Sequence, residues 1–265
     1  MKTMKKLGSD VKRWIILQKE FLLWGGKNRE RILLFLLGRY YRSSLLRDWG
    51  LRKEQPHFFS QRAGFFLAGF GQGNEKSLLP FLRGYYNMEI LRPSDKVLDI
   101  GCGDGFFTKV FFAPCCATID AIDIEKSAID TANYYYADPK ITFLEANAVT
   151  APFRRNDYDV IIWDGALGHF DKDSSDIMLA KIAGSLRPDG LFTGSESIGT
   201  EGHDHLQFFH SLEGLISLLQ KHFKQVAVKS HRYPIAGGYI RTEAYWRCSQ
   251  EKTRLENNLW QTNNS

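Results

Sequence analysis

Cysteine is scarce in this chain, with four residues in 265. Cys115 and Cys116 are adjacent, Cys102 and Cys248 stand alone, and no C-x-x-C occurs. That excludes a disulfide framework, leaves structural zinc without a ligand set and points to a reducing compartment. No apolar run reaches the roughly 18 residues of a membrane-spanning helix. The longest near the start, residues 32–38, is short and has an arginine on each side. No small-residue cleavage site follows an apolar core, so no secretory signal is read. Internal repeats are absent too. Apolar residues make up 43% and charged residues 25%, which excludes disordered and collagen-like chains and supplies a sizeable core.

What is present is unevenly spread. Residues 1–55 hold 14 Lys/Arg against 5 Asp/Glu, a net of +9, and the remaining 210 residues hold 21 against 25, a net of −4. The helical stretches in 10–55 also carry Trp14, Phe21 and Trp24. Basic charge with aromatics suits peripheral contact with an anionic membrane; a merely solvated face is the plainer alternative. Nucleic acid is disfavoured, since no RNA-binding motif accompanies the charge.

Residues 1–92 read as a mainly helical extension or lid. Its second helix spans about 29–49, and a third about 78–91. Phe58, Phe59, Phe65, Phe66 and Phe70 are candidates for an acceptor pocket wall. After Pro93 the pattern changes to strands alternating with helices. Strands are predicted at 96–100, 117–124, 141–144, 158–163, 191–195, 226–230 and 238–247. Helices are predicted at 106–112, 127–136, 174–186 and 212–222. This is an α/β chain with a mostly parallel seven-stranded sheet covered on both faces, spanning residues 93–248. Residues 249–265 form a polar tail.

The most informative segment joins the first strand to its helix: Val97-Leu-Asp-Ile-Gly101-Cys102-Gly103-Asp-Gly105. Three alternate glycines let a ligand approach the backbone at the carboxyl end of a strand. The spacing is G-x-G-x-G, not the dinucleotide G-x-G-x-x-G. Asp99, inside the strand end, is placed to hold a ligand's ammonium. Eighteen residues past Gly105 the second strand ends at Asp123, where an acid can take both ribose hydroxyls. Together these suit a nucleoside with an amino-acid tail.

On these residues the sequence resembles the class I S-adenosylmethionine-dependent methyltransferases, over about residues 93–248, with a Rossmann-like fold. The resemblance implies a methionine-end loop from Asp99, Gly101, Cys102, Gly103 and Gly105. It implies Asp123 as the ribose ligand, Ile124 beside adenine, and Asn147 and Ala148 at the adenine amino group. Asn147 stands where the family usually has aspartate, and Arg187-Pro-Asp-Gly190 matches the turn before strand five. Within the family the chain is similar to small bacterial-type methyltransferases, on Gly202-His-Asp-His-Leu206 and on 56–60 and 83–84. Asp164, ending strand four, faces the methyl group in such folds. Asp164-Gly-Ala-Leu replaces the N/D-P-P-Y/F signature of amino-methylating relatives. Ser195-Glu-Ser197 stands where metal-dependent O-methyltransferases carry Asp-Asn, so no metal is expected. The implied activity is methylation, at oxygen, of a small molecule, sugar or lipid-linked glycan. A non-catalytic module holding the cofactor or a protein partner is the alternative. For a hydroxyl acceptor, His205, His203 and His169 are the candidate bases, with Asp164 behind them. The expected location is cytoplasmic, at the inner face of the membrane if residues 1–55 dock there.

Overall fold

The computed structural model describes residues 32–33, 35–37, 39–40, 78–199, 205–234 and 240–251. Most of 1–55, the phenylalanine-rich stretch, His203 and the polar tail from 252 on lie outside the described residues. The described positions between 32 and 40 are helical.

Seven strands form one sheet in the order β3-β2-β1-β4-β5-β7-β6. They are β1 (Lys96–Ile100), β2 (Thr118–Asp123), β3 (Ile141–Glu145), β4 (Tyr158–Asp164), β5 (Leu186–Ile198), β6 (Gln225–Pro234) and β7 (Ile240–Ser249). The first five are mutually parallel, and β7 runs antiparallel between β5 and β6. The expected class I architecture is thus present. β4 is a continuous apolar run because both of its faces are covered, and Tyr158 to Trp163 are all buried. Alternate side chains feed two cores. Val97, Ile119, Val160, Ile162 and Leu191 face one way, with Phe112 and Ile129. Leu98, Ile100, Ile161, Trp163, Phe192 and Trp246 face the other, with Met178, Leu179 and Leu219.

Four α-helices are described: α1 (Leu78–Met88), α2 (Lys126–Tyr136), α3 (Lys172–Ser185) and α4 (Leu212–Gln220). Asp171 caps α3 by accepting from Ser174 N, and Ser211 caps α4 by accepting from Gly214 N, each satisfying a first-turn amide. The helix after the glycine loop differs from a plain α-helix. It passes through a π turn at Thr108–Phe112, with Ala113 N donating to Thr108 O, and then a 3₁₀ turn at Ala113–Cys115. Pro114 has no amide hydrogen for the ladder, and π turns cluster at functional sites. β5 is also longer than its apolar core suggested, with a register shift against β4 between Tyr158 and Val160.

Toward β5, β7 and β6 the face below α1 turns polar. Thr193 and Ser195 continue the face of Leu191, and Glu243, Tyr245 and Arg247 share it across the antiparallel pairing. All of them are buried.

Candidate active site

The carboxyl end of β1 turns sharply because Gly101, Gly103 and Gly105 hold φ of +72°, +55° and +75°, a region that costs other L-residues strain. Gly101 N and Cys102 N both donate to Ile122 O, which ties the loop to β2. A side chain on Gly105 would meet Ala132 and Phe143 at 2.8 Å, whereas one on Gly101 would reach nothing nearer than Ala166 at 3.6 Å. The first glycine therefore keeps open space over the loop, and the third lets the helix pack.

Two buried carboxylates flank this turn. Asp99 accepts from Thr108 Oγ1 at its Oδ2, 2.6 Å; among the described residues nothing donates to Oδ1. Burial pushes its carboxyl up to about 7, the Thr108 hydrogen bond opposes, and the charges of Asp164 and Asp123 add to the rise. Asp123 accepts from Gly103 N at Oδ2 and from Glu125 N at Oδ1, both 2.9 Å. Burial raises its carboxyl too, against those two hydrogen bonds. One donor per oxygen leaves lone pairs for a diol. Cys102 is buried, and desolvation keeps its thiol protonated. Ile124 is two-thirds exposed beside this acid. Asn147 turns its Oδ1 onto Val149 N, 2.9 Å, in a local turn, and Ala148 O accepts from Lys181 Nζ.

At the end of β4 a second polar cluster begins. Asp164 Oδ1 accepts from Ser195 Oγ, and Oδ2 accepts from Asn87 Nδ2 at 3.1 Å. Burial raises its carboxyl, against the Arg83 charge and the Ser195 hydrogen bond. Arg83 Nε lies 3.9 Å from Asp164 Oδ1. The same guanidinium donates through Nε and Nη2 to Glu243 Oε1, at 3.2 and 2.6 Å. Arg241 Nε donates to Glu243 Oε2 at 3.0 Å. Burial pushes the Glu243 carboxyl up, but the two arginines outweigh it and the net direction is down. Asn87 Oδ1 accepts from Thr193 Oγ1, 3.0 Å. Tyr86 OH and His231 Nε2 lie 2.5 Å apart.

On the other sheet face, buried Glu196 accepts from Gly168 N at 2.7 Å and from Ser197 N at 2.8 Å. Gly168 O in turn accepts from Leu206 N and Gln207 N, at 2.8 and 3.1 Å. The loop after β5 is thereby docked on the loop after β4. The rings of His169 and His205 meet edge to face, 4.7 Å between centroids.

Residues 97–190 match the family model described as a methyltransferase domain. Over this stretch the chain is similar to methyltransferase domains, and its sheet has the class I fold. An uncharacterized methyltransferase of Mycobacterium tuberculosis is 29% identical over 94 residues, 36% of this chain and 46% of that protein. The malonyl-[acyl-carrier protein] O-methyltransferase of Halalkalibacterium halodurans is 29% identical over 128 residues, 45% of this chain and 46% of that protein. The chain thus spans about half the length of the curated relatives it matches. A solved S-adenosylmethionine-dependent methyltransferase structure from Methanosarcina mazei superposes with TM-score 0.51 at 17% identity, covering 63% of this chain and 98% of that one.

The fold brings Asp99, Gly101, Cys102, Gly103, Gly105 and Asp123 together at one turn, with Asp164 beside them on β4. It brings His169 to His205, while His203 lies outside the described residues. Asn147 uses its acceptor oxygen locally, which leaves one lone pair on Oδ1 and the amide for a ligand. Arg83, Asn87, Glu196, Glu243 and Arg241 are site residues that sequence reasoning missed as such. Arg83 and Asn87 stand four apart on α1, so they share a helix face. Glu243 alternates with the apolar Ala244 and Trp246, a pattern that reads as a solvated strand face. Among the described residues no group of His, Cys, Asp and Glu is arranged to hold a metal ion.

Proposed function

We propose that the chain transfers the methyl group of S-adenosylmethionine to a hydroxyl oxygen of a small molecule, a sugar or a lipid-linked glycan. The observation that carries this reading is the pair of buried carboxylates flanking a left-handed glycine turn, each with unused acceptor capacity. When bound, S-adenosylmethionine supplies a methyl group already activated on a sulfonium, so the chain's task is binding, orientation and exclusion of water. Asp99 Oδ1 takes the ammonium, and the loop Gly101–Gly105, with Cys102, takes the methionine carboxylate end. Asp123 takes the ribose diol. Ile124 lies along the adenine, and Asn147 and Ala148 meet its amino group. Asp164, at the end of β4, would lie at the methyl end of the bound cofactor.

An oxygen acceptor is supported by the two imidazoles at the same edge of the sheet. A neutral imidazole nitrogen can take the proton of a hydroxyl acceptor and so serve as a general base. His205 is the leading candidate because its ring lies on Gly168 and beside Phe208, 5.9 Å between centroids. His169 and His203 follow.

Peripheral docking on the inner face of an anionic membrane, from the cytoplasm, is the reading for residues 1–55. It is supported by the net charge of that segment and by Leu33, Leu36 and Tyr40, which are exposed at helical spacing. Among the described residues no helix is long and apolar enough to cross a membrane.

Calorimetric titration with S-adenosylhomocysteine and with NAD tests the cofactor, and only the former should bind. Mass spectrometry of metabolites and lipids from a deletion strain should then reveal a product short of one methyl group. Cofactor binding with no such product in any extract would favour the non-catalytic module.

A further inference from the structure

We propose that Arg83 is an acceptor-binding residue that holds an oxyanion of the substrate, a carboxylate or phosphate, through its Nη1 amino group. The proposal rests on the methyltransferase reading and adds the chemical class of the acceptor.

Two of the three guanidinium nitrogens are committed, since Nε and Nη2 both donate to Glu243 Oε1. Among the described residues nothing accepts from Nη1. This nitrogen is not in a random place. The guanidinium lies flat on Gly165, where an added Cβ would collide with Nη1 and come within 2.7 Å of Cζ. Gly165 holds φ of +64°, so a residue without a side chain serves both the turn and the arginine. It directly follows Asp164 at the carboxyl end of β4, where open α/β sheets receive ligands. The Arg83 side chain keeps 23% of its surface exposed, which leaves a path to it.

The fork is also held in place. Glu243 is fully buried and is gripped from the other side by Arg241 Nε and Nη2, at 3.0 and 2.9 Å. Two arginines share this glutamate, so Arg83 is fixed by Glu243 without Glu243 being fully taken up by it, and the Nη1 group is what remains to meet an anion. Asp164 is the next carboxylate, and Ser195 and Asn87 already donate to its two oxygens. A guanidinium that is immobilised, permanently charged and left with two N–H donors at the ligand edge is a pre-formed half of a carboxylate or phosphate contact. Ordering it on binding costs little.

The test uses the full chain saturated with S-adenosylhomocysteine. Inorganic phosphate and malonate are titrated separately, and the backbone amides of residues 164–166 are followed by NMR in wild type and variants alike. A saturable shift is expected for at least one anion, and the tighter of the two identifies the group. Arg83→Met should weaken that binding at least tenfold while S-adenosylhomocysteine still binds. Should Arg83→Met fail to fold because Glu243 loses one of its two arginines, Gly165→Ala decides. It keeps the charge but displaces the guanidinium, and it should weaken the anion by a similar factor. No saturable shift with either anion, or equal binding by wild type and the folded variants, overturns the proposal. Failure of S-adenosylhomocysteine to bind wild type would instead sink the cofactor assignment, and the anion titrations of the free protein would still judge Arg83.

Discussion

Asp99 makes cofactor binding depend on pH in a way that can be worked out. Its carboxyl is buried, is held by Thr108 Oγ1 and titrates at about 7 in the free protein. An ammonium can be held only by the ionised form. Each pH unit below 7 therefore removes roughly tenfold from the ionised fraction, about 1.4 kcal/mol. The dissociation constant of S-adenosylhomocysteine should be flat above about pH 7.5 and rise about tenfold by pH 6. At pH 6 binding should release close to one proton, seen as a dependence of the calorimetric enthalpy on buffer ionisation heat. Asp99→Asn keeps the shape and removes the charge. It should bind the ligand roughly ten- to a hundredfold more weakly at pH 8, the worth of a hydrogen bond to a charged group, and lose the pH slope. Stability should move the opposite way. The folded-state value lies above the unfolded one, so the ionised group costs stability above about pH 7, and that cost is gone below about pH 4. The free Asp99→Asn protein should hence outmelt wild type at pH 8 and match it near pH 4. A ligand affinity constant from pH 5.5 to 8, with no buffer dependence, would refute the ammonium assignment.

Asp123→Ala should cost roughly 1.5–3 kcal/mol of cofactor binding, a tenfold to hundredfold rise in dissociation constant; unchanged affinity in a folded variant sinks the ribose assignment. With an acceptor in hand, His205→Gln should lower kcat by about 10²–10⁴ if that imidazole is the base, with cofactor affinity kept. A mainly raised KM would make it an orienting residue, and wild-type kcat in His205→Gln, His203→Gln and His169→Gln alike would exclude a histidine base. A chain truncated to begin near Gln55 should lose salt-sensitive binding to acidic liposomes and keep the cofactor, and equal liposome binding by both chains removes the membrane reading. A chain cut at residue 93 would leave Glu243 with Arg241 alone and strip Asn87 from Asp164 and Thr193, each unmade buried hydrogen bond costing about 1–3 kcal/mol. It should therefore melt well below the full-length protein, and equal melting would show that α1 is dispensable.

The cofactor side of the site was legible because it is local. Asp99, the three glycines and Asp123 lie within 25 positions. Strand periodicity and glycine chemistry fix their geometry without knowledge of the rest of the fold. The sheet was legible for the same reason, since buried parallel strands read as apolar runs. The acceptor side was not. Arg83 and Glu243 stand 160 positions apart, and no local pattern pairs a helix ahead of the first strand with the last strand of the sheet. The alternation in β7 even argued the wrong way. A strand with Arg241, Glu243, Tyr245 and Arg247 on one face reads as half solvated, yet Glu243, Tyr245 and Arg247 are buried.

That burial has a physical consequence for the function. A helix laid on a sheet is ordinarily held by apolar contacts, which keep no memory of orientation. Here α1 packs Tyr86 on Tyr245 and Gly84 against Phe111, and it is held besides by hydrogen bonds from Arg83 to Glu243, from Asn87 to Asp164 and to Asn87 from Thr193, with Arg247 Nη2 donating to Glu89 at 2.7 Å. These hydrogen bonds are directional, and any of them left unmade would strand a buried polar group at a cost of about 1–3 kcal/mol. They add little net stability over an apolar interface, so their effect is to fix one position of the helix. Among the described residues, α1 is the element before β1 that reaches the end of β4. Whatever acceptor enters there meets a wall whose charges are already set.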